Sequence, residues 1–157
     1  MPYLVRHGHA GDKHRWPGPD LVRPLSADGR RQAAELVGHL RPYPVDRILS
    51  SPTDRCRQTV EPLARQRRLP IELHGALAVD GTAEGLLALL RDDALRGAVL
   101  CTHGELIGQV FERLLAGGLR LPGEPRWQKG SVWVLGGPDG RLSQASYIAP
   151  AAASRPA

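Results

Sequence analysis

Short apolar runs rich in β-branched residues alternate along the whole chain with stretches whose apolar residues recur at helical spacing. No other feature narrows the fold as much. Strands separated by helices run parallel, so the pattern predicts an α/β domain with a largely parallel sheet. Strands are expected at about residues 2–6, 45–49, 71–74, 97–102 and 131–135, with a final run ending at Ile148. Pro138-Asp139-Gly140 lies between the last two and predicts a closing hairpin.

The helices carry their own start signals. Ser26 has the chemistry of an N-cap with Asp28 in the first turn, and Ala33, Leu36, Val37 and Leu40 follow at helical spacing. Ser51-Pro52-Thr53-Asp54 reads as a second start, with a capping serine, a proline at the first helical position and an acid at the third. Cys56, Val60, Leu63 and Ala64 form the inner face of that helix, and Pro62 is expected to kink it near Gln58. A leucine-rich helix is expected from about Thr82 to Arg91. A fourth, carrying Leu106, Ile107, Val110, Phe111 and Leu114, begins directly behind His103-Gly104-Glu105.

A chain of 157 residues, 41% of them hydrophobic, suffices for one core. One domain over residues 1–149 is expected, with a small, polar, disordered tail over 150–157. No apolar run has the length of a membrane span, and a strand follows Met1 almost at once, so the expectation is a soluble cytoplasmic protein. Cys56 and Cys101 lack the spacing of a disulfide framework or zinc site and are expected as small buried hydrophobes. The formal charge is +5, but its arginines are scattered and no basic run interleaves with aromatics. That distribution argues against a nucleic-acid partner and for small phosphorylated anions.

Three strand ends carry related polar groups: Arg6 and His7 in LVRHGHA, Arg55 just inside the second helix, and His103 in CTHGE. In open α/β sheets ligands collect beyond the carboxyl ends of the strands, where residues distant in sequence meet. Two guanidiniums and two imidazoles there suit a phosphate dianion. Arg55 also lies in a helical first turn, where free amides and the macrodipole favour an anion.

These residues resemble the histidine phosphatase superfamily, also called phosphoglycerate mutase-like. LVRHGHA is similar to its Arg-His-Gly signature, SSPTDRCRQT to its second arginine motif and CTHGE to its second histidine motif. The order and spacing resemble the compact SixA-like branch, which also carries a segment like Val22-Arg23-Pro24-Leu25. DLVRPLS and KGSVWVL further resemble the phosphatase half of bacterial proteins that fuse this domain to a Nudix hydrolase. The resemblance implies a three-layer α/β/α domain and phosphoryl transfer through a covalent phosphohistidine. His7 would be the nucleophile, and Arg6, Arg55 and His103 would hold the phosphoryl oxygens, with no metal and no cofactor. Partners would be a small phosphorylated substrate or a phosphoprotein. A phospho-ligand or nucleotide-binding module with little turnover is the competing reading.

The general acid is the point of departure from better-known members. Many relatives supply a glutamate between the third strand and the following helix, where this chain reads GALAVDGTAEG. Asp80 is the nearest candidate, unless it is a turn aspartate before Gly81. Glu84 is second, unless it decorates the first turn of its helix. Without either, the chemistry favours leaving groups that depart with little protonation, such as phosphohistidine or a phosphoanhydride. His9, Lys13, His14 and Arg15 form either a substrate-selecting rim or a solvated loop. Arg23 and Arg57 either add positive potential to the site or pair with surface acids, Arg126 and Lys129 are placed at the pocket border, and His39 and His74 are expected to be exposed.

Overall fold

The computed structural model describes residues 1–151, and residues 152–157 of the expected tail lie outside the described residues. Six strands form one sheet: β1 (Tyr3–Arg6), β2 (Arg47–Ser50), β3 (Ile71–Leu73), β4 (Ala98–Thr102), β5 (Val132–Gly136) and β6 (Gln144–Ile148). Four α-helices connect them: α1 (Ala27–His39), α2 (Asp54–Arg67), α3 (Ala83–Leu90) and α4 (Gly104–Ala116). The strand order is β3-β2-β4-β1-β5-β6. The first four in that order are mutually parallel, and β5 runs antiparallel to both β1 and β6, which completes the expected hairpin.

Alternation along the strands divides the core into two layers. Tyr3 and Val5 pack with Leu36, Leu40, Cys56, Val60 and Leu63 under α1 and α2. Leu4 turns to the other face and joins Leu86, Leu90, Leu106, Val110, Phe111 and Trp133 under α3 and α4. Helices therefore cover both faces, the three-layer arrangement expected. The helices that leave the adjacent strands β1 and β4, α1 and α4, lie on opposite faces, so a crevice opens between the carboxyl ends of these two strands.

Local signals account for most boundaries. Ser26 caps α1, its hydroxyl accepting from Gly29 N–H at 3.1 Å, and Thr82 caps α3 in the same way. Gly29 is required by packing, since a Cβ there would come within 2.0 Å of the His9 carbonyl oxygen.

The start of α2 differs from expectation. Its N-cap is Thr53 and its first helical residue Asp54, so Ser51 and Pro52 precede the helix. Ser51 is drawn out of the capping role because its hydroxyl is bonded to His103. The helix continues through Pro62 to Arg67.

Candidate active site

Beyond the ends of β1, β2 and β4, three adjacent parallel strands, the structure brings together His7, Arg6, Arg55 and His103. The rings of His7 and His103 meet edge to face with centroids 5.3 Å apart. Arg55 Nη2 lies 3.5 Å from His103 Nδ1. His7, His103 and Arg55 are all buried, an uncommon setting for such groups in the absence of a shared purpose.

His7 is the first residue past β1, held by its N–H to the Thr102 carbonyl at 3.2 Å. Its Nδ1 lies 2.7 Å from the Gly8 carbonyl oxygen and donates to it, which leaves the lone pair on Nε2. Burial pushes the His7 pKa down to about 3; the Gly8 carbonyl opposes this, while His103, Arg55 and Arg6 add to it. The ring is therefore neutral near pH 7, the state a nitrogen nucleophile requires. Gly8 is fixed in turn by α2, because its N–H donates to Thr59 Oγ1 at 2.9 Å.

The two arginines are steered from opposite sides. Arg6 donates from Nη1 to the Trp127 carbonyl at 2.9 Å and lies against Gly104, where a Cβ would come within 2.6 Å of its Cζ. Arg55, in the first turn of α2, donates from Nη1 to the Asp20 carbonyl and from Nη2 to Asp20 Oδ2, both at 2.9 Å. In both guanidiniums Nε is buried with no hydrogen-bond partner among the described residues. Buried donors are normally paired, so two unpaired Nε–H groups at one strand-end cluster mark it as a place for an anion.

Asp20 is a residue that sequence reasoning missed. A 3₁₀ turn over Asp20–Val22 carries it back onto the site, where Oδ1 also accepts from Arg23 Nε at 3.1 Å. Burial opposes ionisation of Asp20, but the bonds from Arg23 and Arg55 outweigh it and hold the carboxyl below its usual range. Asp20 thus orients cations and is a poor proton donor. The signal available was the Asp20-Leu21-Val22-Arg23 spacing, which lets the pair meet at i,i+3 on a single turn. Ser51 and Thr59 were missed as well, since their partners lie 52 and 51 residues away in the chain.

Of the residues left open, Arg23 belongs to the site and is buried, donating from Nη1 to the Ala10 carbonyl at 2.6 Å. Lys129 is half-buried, and desolvation together with the neighbouring charges of Arg6 and Arg23 lowers its pKa, which places its amine near those two guanidiniums. Arg57 instead pairs with Asp54 and Glu61 on α2. Arg126 stacks over the Tyr147 ring at 4.7 Å. His9 ties its loop to α1 through Nδ1 and Ser26 Oγ, 2.7 Å apart, whereas Lys13, His14 and Arg15 are exposed. His74 is exposed as expected; His39 is half-buried.

Neither acid candidate makes a hydrogen bond or ion pair with Arg6, His7, Arg55 or His103 among the described residues. Asp80 is exposed in a turn and makes no side-chain hydrogen bond or ion pair among the described residues. Glu84, at the second position of α3, pairs with Arg113 of α4 at 2.6 Å, and its own backbone and Arg113 lower its pKa. Cys56 and Cys101 are free and buried, as expected, but Cys56 Sγ also lies 3.6 Å from His103 Nε2. No cluster of three or more potential metal ligands occurs among the described residues, and no helix among them is long and apolar enough to cross a membrane.

The model of the histidine phosphatase superfamily, branch 1, matches residues 2–79, which include Arg6, His7 and Arg55 in their expected order. The chain belongs to the histidine phosphatase superfamily. This histidine phosphatase domain is 34% identical over 152 residues to an 8-oxo-(d)GTP phosphatase of Mycolicibacterium smegmatis; the match takes in 94% of this chain and 47% of that protein. The chain thus spans about half the length of that curated relative. Among solved structures, the protein from Agrobacterium tumefaciens assigned as the phosphohistidine phosphatase SixA is 26% identical, with a TM-score of 0.72 and coverage of 96% and 97% of the two chains. A SixA complexed with tungstate shares the fold, at 23% identity and a TM-score of 0.68, over 94% and 93% of the chains.

Proposed function

We infer that this domain is a metal-independent phosphatase that passes the phosphoryl group through a covalent adduct on His7. The observation that carries this reading is the pairing of a neutral, buried imidazole, lone pair on Nε2, with two guanidiniums whose buried Nε–H groups have no partner. His7 Nε2 attacks phosphorus in line, the bond from phosphorus to the leaving group breaks, and the leaving group departs with the electron pair. Arg6, Arg55 and His103 hold the three non-bridging oxygens as charge spreads over them. Water then attacks phosphorus, the nitrogen–phosphorus bond breaks, and His7 is regenerated with release of inorganic phosphate.

The leaving group decides the substrate class. Asp80 has no contact that would orient it toward the site, and Glu84 is engaged by Arg113. Both features favour substrates whose leaving group needs little protonation, namely phosphohistidine or a phosphoanhydride, over alkyl phosphates. A phosphoanhydride leaving group is itself anionic, and Arg23 and Lys129 supply additional positive charge beside Arg6 and Arg55. The relative named as an 8-oxo-(d)GTP phosphatase and the SixA-assigned structure represent these two substrate classes.

The test is phosphate release in the presence of a chelator from phosphohistidine, a nucleoside diphosphate and an alkyl monoester, with His7→Ala alongside. The expected result is turnover of the first two, at least about a thousandfold loss in His7→Ala, and acid-labile label trapped on His7 after a quench. Tight phosphate binding with negligible turnover would instead identify a binding module. Asp80→Asn is expected to retain activity on the favoured substrates.

A further inference from the structure

The groups around His103 do not treat its two nitrogens alike. Nε2 lies 2.9 Å from Ser51 Oγ and 3.6 Å from Cys56 Sγ, whereas Nδ1 lies 3.5 Å from Arg55 Nη2. All four residues are buried, Ser51 and Cys56 completely. Two proton arrangements are compatible with these distances. In the first, Nε2–H donates to Ser51 and Nδ1 accepts from Arg55, so the imidazole and the guanidinium satisfy each other and offer an anion less. In the second, the Ser51 hydroxyl donates to Nε2 and Nδ1 carries the proton. Nδ1–H and the Arg55 N–H then both point at an acceptor placed between them.

The surroundings of Ser51 favour the second arrangement. Thr53 N–H donates to Ser51 Oγ at 3.3 Å, and Thr53 Oγ1 lies 3.2 Å from the same oxygen. A hydroxyl oxygen accepts twice and donates once. When the amide and the hydroxyl of Thr53 both donate to it, the proton of Ser51 is what remains for its third contact, and that contact is Nε2. The Arg55–Nδ1 separation is also at the long limit for a hydrogen bond, as suits two donors facing a common acceptor rather than a donor and its acceptor.

We propose that Ser51 is a positioning residue that fixes His103 in its Nδ1–H tautomer and so makes this imidazole a donor, with Arg55, to one oxygen of a bound phosphoryl group. The two site histidines are then set in opposite senses. A backbone carbonyl leaves His7 with its lone pair on Nε2, and a side-chain hydroxyl leaves His103 with its proton on Nδ1. The inference rests on the phosphatase reading for the identity of the anion alone; the tautomer is a property of the protein by itself.

The experiment is a two-bond ¹⁵N–¹H correlation spectrum of the full chain carrying ¹⁵N-histidine, recorded near pH 7 without ligand and then with inorganic phosphate. The expected wild-type result is a neutral His103 protonated on Nδ1. Ser51→Ala is expected to move the proton wholly or partly to Nε2 and to weaken phosphate binding about tenfold, while Ser51→Thr, which keeps the hydroxyl, retains the wild-type pattern. An Nε2–H tautomer or an imidazolium in the wild type overturns the proposal, as does an unchanged His103 pattern in folded Ser51→Ala or an alanine-like pattern in folded Ser51→Thr. The wild-type spectrum alone is decisive against it, so a variant that fails to fold does not protect it. A protein with the expected tautomer and no turnover would refute the phosphatase reading and leave this one standing.

Discussion

His7 is buried in a form that excludes its charge, and this gives the protein a pH dependence that can be separated from that of its other groups. The folded pKa of about 3 lies below the 6.5 of a free imidazole. As pH falls through the unfolded value the unfolded chain takes up a proton that the folded one refuses, so stability declines on acidification until the folded value is reached. The slope approaches about 1.4 kcal/mol per pH unit between about pH 5.5 and pH 4. Urea denaturation across that range should show the wild type losing stability relative to His7→Gln as pH falls, since the remaining groups contribute about equally to both. At the neighbouring Arg6 the constraint is steric. Gly104→Ala places a methyl where the guanidinium lies, and because glycine in a helical first turn tolerates alanine, the fold is expected to survive. The measured consequence should be a fall of about 10- to 100-fold in kcat/KM, the loss of one charge-assisted hydrogen bond to the phosphoryl group, with an unchanged denaturation midpoint.

At the scale of elements, α2 does two tasks. It presents Arg55 from its first turn, and one turn later it fixes the loop behind β1 through Thr59, whose hydroxyl accepts from Gly8 N–H and donates to the Arg55 carbonyl at 2.7 Å. Thr59→Val keeps the shape and removes both bonds, leaving the buried Gly8 N–H without its acceptor. The expected cost is about 1–3 kcal/mol, read as a lower urea midpoint at unchanged slope. This helix also shows where sequence reading stops. Its buried face, Cys56, Val60, Leu63 and Ala64, was legible because periodicity is a local property. Its first residue was not, because Ser51 has the local chemistry of a cap and is claimed by a histidine 52 residues away. Asp20 escaped notice for the same reason, since its role depends on Arg55, which is 35 residues distant. Hydrogen bonds between distant segments leave no mark on the spacing of either one.

For the whole molecule, the order of strands and helices was legible from alternation alone, and the four cationic or imidazole side chains of the site were legible because each stands at the end of a strand or the start of a helix. The spatial order of the strands was not, for periodicity says nothing about which strand lies beside which. That order matters to the site. Val5, Cys101 and Ser50 stand in one row across β1, β4 and β2, so the residues that follow them emerge side by side. A slip of one residue in either pairing would turn every side chain of that strand to the opposite face, so the register of three parallel strands is also the alignment of the candidate site. The site is therefore cut from the most deeply shared part of the sheet, and no separate melting of its strand-borne groups is expected to precede collapse of the molecule. Phosphate release at rising urea should trace the same curve as the circular dichroism of the fold, with inactivation and global unfolding occurring as one event.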